Sequence, residues 1–315
     1  MRFHLDHNPE KQGFEIGHGQ RIFLSGSCFS EHMGGLLKDH KFNVLGSPSV
    51  SLFNPLSIHS DLVHLMEQTP MNGDFILECE GLFFSYLHHS SVHAPNKEEL
   101  IRQIEAARTQ ATAFLKEADH LILTFGTAFY YHHRQLNATV ANCHKQPQHT
   151  FEKKMATPEL ISGLYGPLIE KLQKFNRRLR IIFTVSPVKY LKDGLLENTL
   201  SKATLHLAIH QLINAHKNCH YFPAYELVND DLRDYRFYKK DLAHPNEQAI
   251  EYVWQKFSEC FFTEATRALN QKIQQLHQAE SHRPLNAGST EAQKLQDFIT
   301  RQKEDLRKDF PGLSL

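Results

Sequence analysis

Cys28, which follows Gly26 and Ser27, is the residue of this 315-residue chain whose type and setting point most directly to chemistry. Ile22 to Leu24 form an apolar run, Gly26 permits a sharp turn, and Phe29, Met33, Leu36 and Leu37 recur at helical spacing. The turn therefore holds Ser27 and Cys28 at a helix N-terminus. Backbone N–H groups there point outward and the helix dipole favours negative charge, which suits a thiolate or an oxyanion. A cysteine after a buried strand can equally be a small apolar filler. Far along the chain, Asp241-Leu-Ala-His244 places a carboxylate three residues before an imidazole. In a loop leading into a helix that spacing lets the acid accept from Nδ1–H and leaves Nε2 outward, although the bare spacing also occurs in surface pairs and caps.

These residues need a scaffold, and the apolar patterning supplies one. Buried strands are expected at Ile22–Leu24, Leu121–Phe125, Ile181–Val185 and Cys219–Phe222. Phe14 and Ile16 read as a short edge strand, and residues 42–50 as a short second strand with a loop. Amphipathic helices are expected after Cys28, from Asn54-Pro55, over Leu100–Leu115, over Leu160–Phe175, from about Leu200 to Ala215, and from Pro245 onward. Met71 to Asn96 reads as a hairpin-like insertion, and Phe129–Tyr131 can pair with Thr139–Val140. Continuous apolar strands alternating with helices imply an α/β fold, a three-layer α/β/α sandwich around a mostly parallel, doubly wound sheet. Cys28, Gly126, Ser186 and the Asp241–His244 stretch each follow an expected strand, at the carboxyl edge where such folds bind ligands.

Lys plus Arg equals Asp plus Glu at 35 each, so no global field argues for nucleic acid or an anionic membrane as partner. No segment approaches membrane-span length and the first residues lack a signal-like apolar run, so a cytoplasmic protein is expected. Five scattered cysteines with no C-x-x-C pair suit free thiols in a reducing compartment.

Gly26-Ser-Cys-Phe-Ser30 resembles the name-giving motif of the GSCFA family, which is grouped with the SGNH (GDSL-type) hydrolases. Phe53-Asn-Pro-Leu-Ser57, Phe125-Gly-Thr-Ala128, Asn142-Cys-His-Lys145, Val185-Ser-Pro-Val188, Tyr221-Phe-Pro-Ala-Tyr-Glu226, Leu232-Arg-Asp-Tyr-Arg-Phe237 and Asp241-Leu-Ala-His-Pro-Asn246 extend the resemblance over roughly residues 14 to 262. It implies an SGNH-hydrolase-like, flavodoxin-like sandwich. It also implies a covalent acyl-enzyme: Cys28 as nucleophile, or Ser27 in the alternative register, with His244 as base and Asp241 orienting it. No cofactor is called for. The expected substrate is a small-molecule or glycan O-acyl ester, for an esterase or an acyltransferase.

Ala128 departs from the superfamily pattern, standing where the oxyanion-binding Asn is expected, and its side chain can donate nothing. Gly126, Asn142, Asn54 and the Cys28 N–H remain candidates to shape the oxyanion pocket, with Asn54 and Asn142 also open to structural roles. His89 is a candidate wall of the substrate cleft. Histidines 88, 89, 93, 132 and 133 lack zinc-type spacing, so no metal is expected. Arg233 and Arg236 suit either a substrate anion or a surface ion-pair network. A non-catalytic carbohydrate- or acyl-binding domain is the alternative reading. Residues 1–262 are expected to form the catalytic domain and 263–315 a charged helical extension, either self-associating or a solvated tail, with a linker over 283–289.

Overall fold

Two apolar faces on each central strand force the architecture, and the computed structural model, which describes residues 7–282 and 289–310, shows how they are covered. In chain order the elements are β1 (Arg21–Gly26), α1 (Cys28–Asp39), β2 (Asn43–Ser51), α2 (Pro55–Glu67), β3 (Ile76–Cys79), β4 (Leu82–Ser85), β5 (His93–Ala94), α3 (Lys97–Lys116), β6 (His120–Phe125), β7 (Phe129–His133) and β8 (Ala138–Val140). There follow β9 (Phe151–Met155), α4 (Pro158–Phe175), β10 (Arg180–Val185), α5 (Leu195–Ala215), β11 (Cys219–Tyr221), the single turn α6 (Ala224–Glu226), α7 (Glu247–Phe261), α8 (Glu264–Ser281) and α9 (Thr290–Asp309).

The main sheet runs β11-β10-β6-β1-β2, and every pairing in it is parallel. Counted among its own strands this is the 2-1-3-4-5 order of doubly wound folds, with its switch point between β1 and β6. Strand alternation divides the core. Phe23, Leu121, Leu123, Phe125, Ile181, Phe183 and Val185 pack with buried residues of α2, α3, α4 and α5. Ile22, Leu24, Ile122 and Ile182 face the other way, against Phe29, Met33 and Leu37 of α1 and Ala249, Val253 and Phe257 of α7.

Two antiparallel sheets, β3-β4-β5 and β8-β7-β9, are inserted beside the carboxyl edge. They share an apolar cluster of Tyr86, Val140 and Phe151, and the Tyr86 carbonyl accepts from Ala141 N at 2.8 Å and Asn142 N at 3.1 Å.

Several local expectations are corrected. Phe14 and Ile16 form no strand; both are buried in the α1/α7 side of the core, Phe14 against His120, His220 and Phe261, and Ile16 N donates to Phe261 O at 2.8 Å. The second strand is nine residues long because a register shift opposite Leu24 to Gly26 and a left-handed Val50 (φ 62°) let it continue past Pro48. β9 was not expected: Lys153 and Lys154 mask its alternation. α5 begins at Leu195, ahead of the apolar periodicity, because Leu195 and Leu196 are exposed. α7 starts at Glu247 under the Asn246 cap rather than at Pro245. α8 packs Leu269, Ile273 and Leu276 against Ile299 and Leu306 of α9. The expected linker lies, Ser289 apart, outside the described residues. Among the described residues no helix is long and apolar enough to cross a membrane.

Candidate active site

The Gly26–Cys28 turn is built by close approach of β1 to β6. Gly26 adopts φ +150°, and a Cβ there would lie 2.4 Å from Thr124 O, so only glycine fits. Ser27 N then donates to Thr124 O at 3.2 Å and α1 begins at Cys28. Ser27 is 1% exposed and its hydroxyl has no partner among the described residues, whereas the Cys28 side chain reaches partway to the surface. Of the two, Cys28 is the accessible one.

The expected activation of the thiol by the helix terminus is outweighed. Burial, followed by the Glu31 carboxylate, pushes the Cys28 thiol above its ordinary pKa, while the N–H groups of Phe29 and Cys28 and the charge of Lys202 pull the other way without prevailing. A proton acceptor is therefore needed for this thiol to attack at neutral pH.

Gly126, expected to help shape the oxyanion pocket, has no free N–H to offer it. Its N–H and that of Thr127 both donate to Phe53 O at 2.9 Å, and its carbonyl accepts from Lys202 Nζ at 2.6 Å. A Cβ on Gly126 would sit 2.8 Å from Phe53 O and 3.3 Å from Ser27 Cβ, so this glycine is a spacer between the Gly26–Cys28 turn and the Phe53 backbone. Ala128 is fully buried, with its N–H on Ser201 Oγ at 2.8 Å; it belongs to the core, not to a cleft. Asn54 is also buried, its amide spent on capping α2 through Ser57 N at 2.9 Å and Ser57 Oγ at 3.0 Å.

Asn142 does line a cleft. This cavity of about 940 Å³ is walled by Phe53, Tyr131, Asn142, Lys145, Lys153 and Lys192, among others. Asn142 Oδ1 accepts from His144 N at 2.9 Å, leaving Nδ2 without a protein partner among the described residues. His144 and Lys145 follow at φ 45° and 57°, consecutive left-handed residues of the kind that binding sites tolerate. His89 is not among the walls. It is held in its own turn, Nδ1 against Ser91 Oγ at 3.0 Å.

In the loop that hangs from the exit of β10 through Lys189 N and Ala243 O, Asp241 Oδ2 meets His244 Nδ1 at 2.6 Å, while Oδ1 accepts from Ala243 N and His244 N at 3.0 Å each. Those two N–H groups and the imidazole hold the Asp241 carboxyl well below the usual carboxylate range. An ionised Asp241 fixes Nδ1 as the protonated nitrogen, and Nε2 has no partner among the described residues. Arg236 pairs with Asp234 at 3.6 Å, and Arg233 lines a separate pocket of about 270 Å³ with Lys189, Tyr235 and Tyr238.

The GSCFA family model matches residues 21–257, from the first residue of β1 into α7. The chain belongs to the GSCFA family. No curated protein matches it by sequence. Among solved structures it is similar to a carbohydrate esterase family 3 protein from Talaromyces cellulolyticus, at 8% identity and a TM-score of 0.38 over 81% of this chain and 99% of that one. It is also similar to the acetyl xylan esterase Est2A from the rumen bacterium Butyrivibrio proteoclasticus, at 10% identity and a TM-score of 0.38 over 82% and 65% of the two chains.

One residue of this GSCFA site escaped the sequence reading. Lys202, on α5, is 2% exposed and joins the ends of β6 and β10 by donating to Gly126 O and Ser186 O at 2.6 Å each. The signal was present: Asn198, Ser201 and Lys202 occupy the same buried face as Leu205, Ile209 and Leu212. Polar residues where a helix repeat demands apolar ones mark a site.

Proposed function

We propose that this GSCFA chain is an esterase or acyltransferase that works through a thioester on Cys28, acting on O-acyl esters of small molecules or glycans. The observation that carries the reading is the 2.6 Å Asp241–His244 pair with Nε2 left open, in a loop at the same sheet edge as an accessible cysteine at a helix N-terminus. In the proposed reaction His244 Nε2 takes the Cys28 proton as Sγ bonds to the acyl carbon. The developing oxyanion is met by the N–H groups of Cys28 and Phe29 and by Asn142 Nδ2. Collapse breaks the ester C–O bond, and the leaving alkoxide receives the proton from His244. Water, or an acceptor hydroxyl, then cleaves the thioester by the reverse sequence.

The cavity beside Phe53 reaches the proposed site through Asn142, with neither Cys28 nor His244 among its walls, and has room for the sugar portion of a glycan ester. Five free cysteines support a reducing, cytoplasmic setting. In this reading residues 1–262 carry the chemistry and residues 263–315 are an extension through which copies associate.

A second reading, a carbohydrate- or acyl-binding domain without turnover, is favoured by the buried Ala128 and by the spent N–H of Gly126. A panel of acetylated sugars and p-nitrophenyl esters separates the two. Turnover by the native chain that disappears in Cys28→Ala supports the enzyme; saturable sugar binding without turnover supports the binding domain.

A further inference from the structure

A buried amine with no carboxylate beside it is a costly feature, and Lys202 is such a group. Its two hydrogen bonds go to main-chain carbonyls, at Gly126 and Ser186, and no ion pair to it occurs among the described residues. Two bonds use two of the three hydrogens of an ammonium, or both of a neutral amine, so Nζ keeps one further direction open in either state. The Tyr225 ring lies 5.8 Å away on one side. On the other side stands Gly126, and a Cβ on that glycine would be 3.3 Å from Ser27 Cβ. One glycine thus separates the amine from the turn that carries Cys28, and the adjacent Ser27 hydroxyl is buried with no partner among the described residues.

We propose that Lys202 is a positioning cation for Cys28: the two form a charge-coupled pair in which the ammonium makes the thiolate easier to form. The proposal rests on Cys28 as the reactive group of the site. It supplies what Gly126 and Ala128 leave unfilled, a group behind the Cys28 turn that favours negative charge while it is protonated. Burial lowers the Lys202 pKa to about 7 and a negative charge at Cys28 raises it, while Lys202 lowers that of Cys28. The other groups facing the pair are accounted for. Glu31 on α1 opposes thiolate formation and is tied to Ser51 Oγ. His32 Nδ1 bonds the Cys28 carbonyl at 2.8 Å. His206, one turn along α5, bonds the Lys202 carbonyl through Nδ1 at 2.7 Å and turns Nε2 to Glu226 at 3.3 Å, so its ring does not meet the Lys202 amine.

The test is the rate at which iodoacetamide alkylates Cys28, followed by peptide mass mapping of the full chain across pH. At about pH 6, where the amine is charged, Lys202→Met is expected to slow Cys28 at least ~10-fold, with Lys202→Arg recovering most of the rate. The gap should close above about pH 9, where a neutral amine contributes no charge. Equal rates at all pH values, or a slowing that is the same at every pH, would overturn the pair, the second pointing to packing alone. Should Lys202→Met fail to fold, carbon NMR of the lysine ε-carbon gives the reciprocal measurement. Cys28→Asp is expected to raise the proton affinity of Lys202 about 10-fold over Cys28→Asn, and identical titrations would overturn the coupling. Neither measurement requires ester turnover, so the pair stands or falls separately from the proposed reaction.

Discussion

The backbone N–H of Lys189 donates to the carbonyl of Ala243 at 3.0 Å, which hangs the Asp241–His244 loop from the exit of β10. The same strand end is joined to β6 by Lys202, through Ser186 O and Gly126 O, and Gly126 rests on Ser27. The carboxyl edge is thus one continuous chain of contacts from the cysteine turn to the histidine loop.

Asp241→Asn removes the acceptor that holds Nδ1 protonated and leaves the loop backbone in place through the remaining amide oxygen. Ester turnover is expected to fall on the order of 10³–10⁴-fold, as for other orienting carboxylates, with little change in thermal midpoint. Steady-state kinetics beside a melting curve checks both halves.

Ala128→Asn should fail as a repair. The superfamily pattern suggests that an asparagine there would restore an oxyanion donor, yet the position is fully buried and faces the core around Phe125. Inserting a larger polar side chain is expected to cost about 1–3 kcal/mol of stability and to give no gain in kcat. Urea unfolding together with kcat decides it.

Gly26→Ala is expected to be worse than Gly126→Ala. At Gly26 the new Cβ meets β6 main chain at 2.4 Å in a left-handed conformation, whereas at Gly126 the nearest atom is Phe53 O at 2.8 Å and the loop can shift. The expected outcome is an unfolded or aggregated Gly26→Ala and a folded Gly126→Ala with a smaller loss of thermal midpoint, read by circular dichroism.

Acid should weaken the fold through two buried histidines. Burial lowers the pKa of His88 from 6.5 to about 3 and that of His120 to about 4, so the unfolded chain binds more protons than the native one below neutrality. Their contribution is intact above pH 6.5 and is lost progressively as pH falls toward those native values. At about pH 5 each should remove about 2 kcal/mol relative to pH 7. Urea midpoints at the two pH values check this: His88→Gln is expected to shrink the difference, and an unchanged difference would contradict it.

The alternation of strands and helices was legible because β6 and β10 are buried on both faces and read as unbroken apolar runs. The Cys28 turn was legible for the same reason, since it follows the buried β1, whereas the Asp241–His244 pair was legible from its three-residue spacing ahead of a helix. What stayed hidden depends on tertiary contacts. The N–H groups of Gly126 and Thr127 are consumed by Phe53 O, from a loop more than seventy residues earlier. Lys202 looks like an ordinary helix-surface lysine until α5 is seen to turn that face toward the sheet. Phe14 and Ile16 alternate like a strand but are drawn into the core as single side chains, Phe14 against His120, His220 and Phe261.

The most direct measurement of the central claim is peptide-level mass spectrometry of the chain quenched in acid during reaction with p-nitrophenyl acetate. The account predicts an acetyl group on Cys28, absent from Cys28→Ala and forming far more slowly in His244→Ala. An acetyl group found elsewhere, or one appearing on Cys28 just as fast without His244, would contradict it.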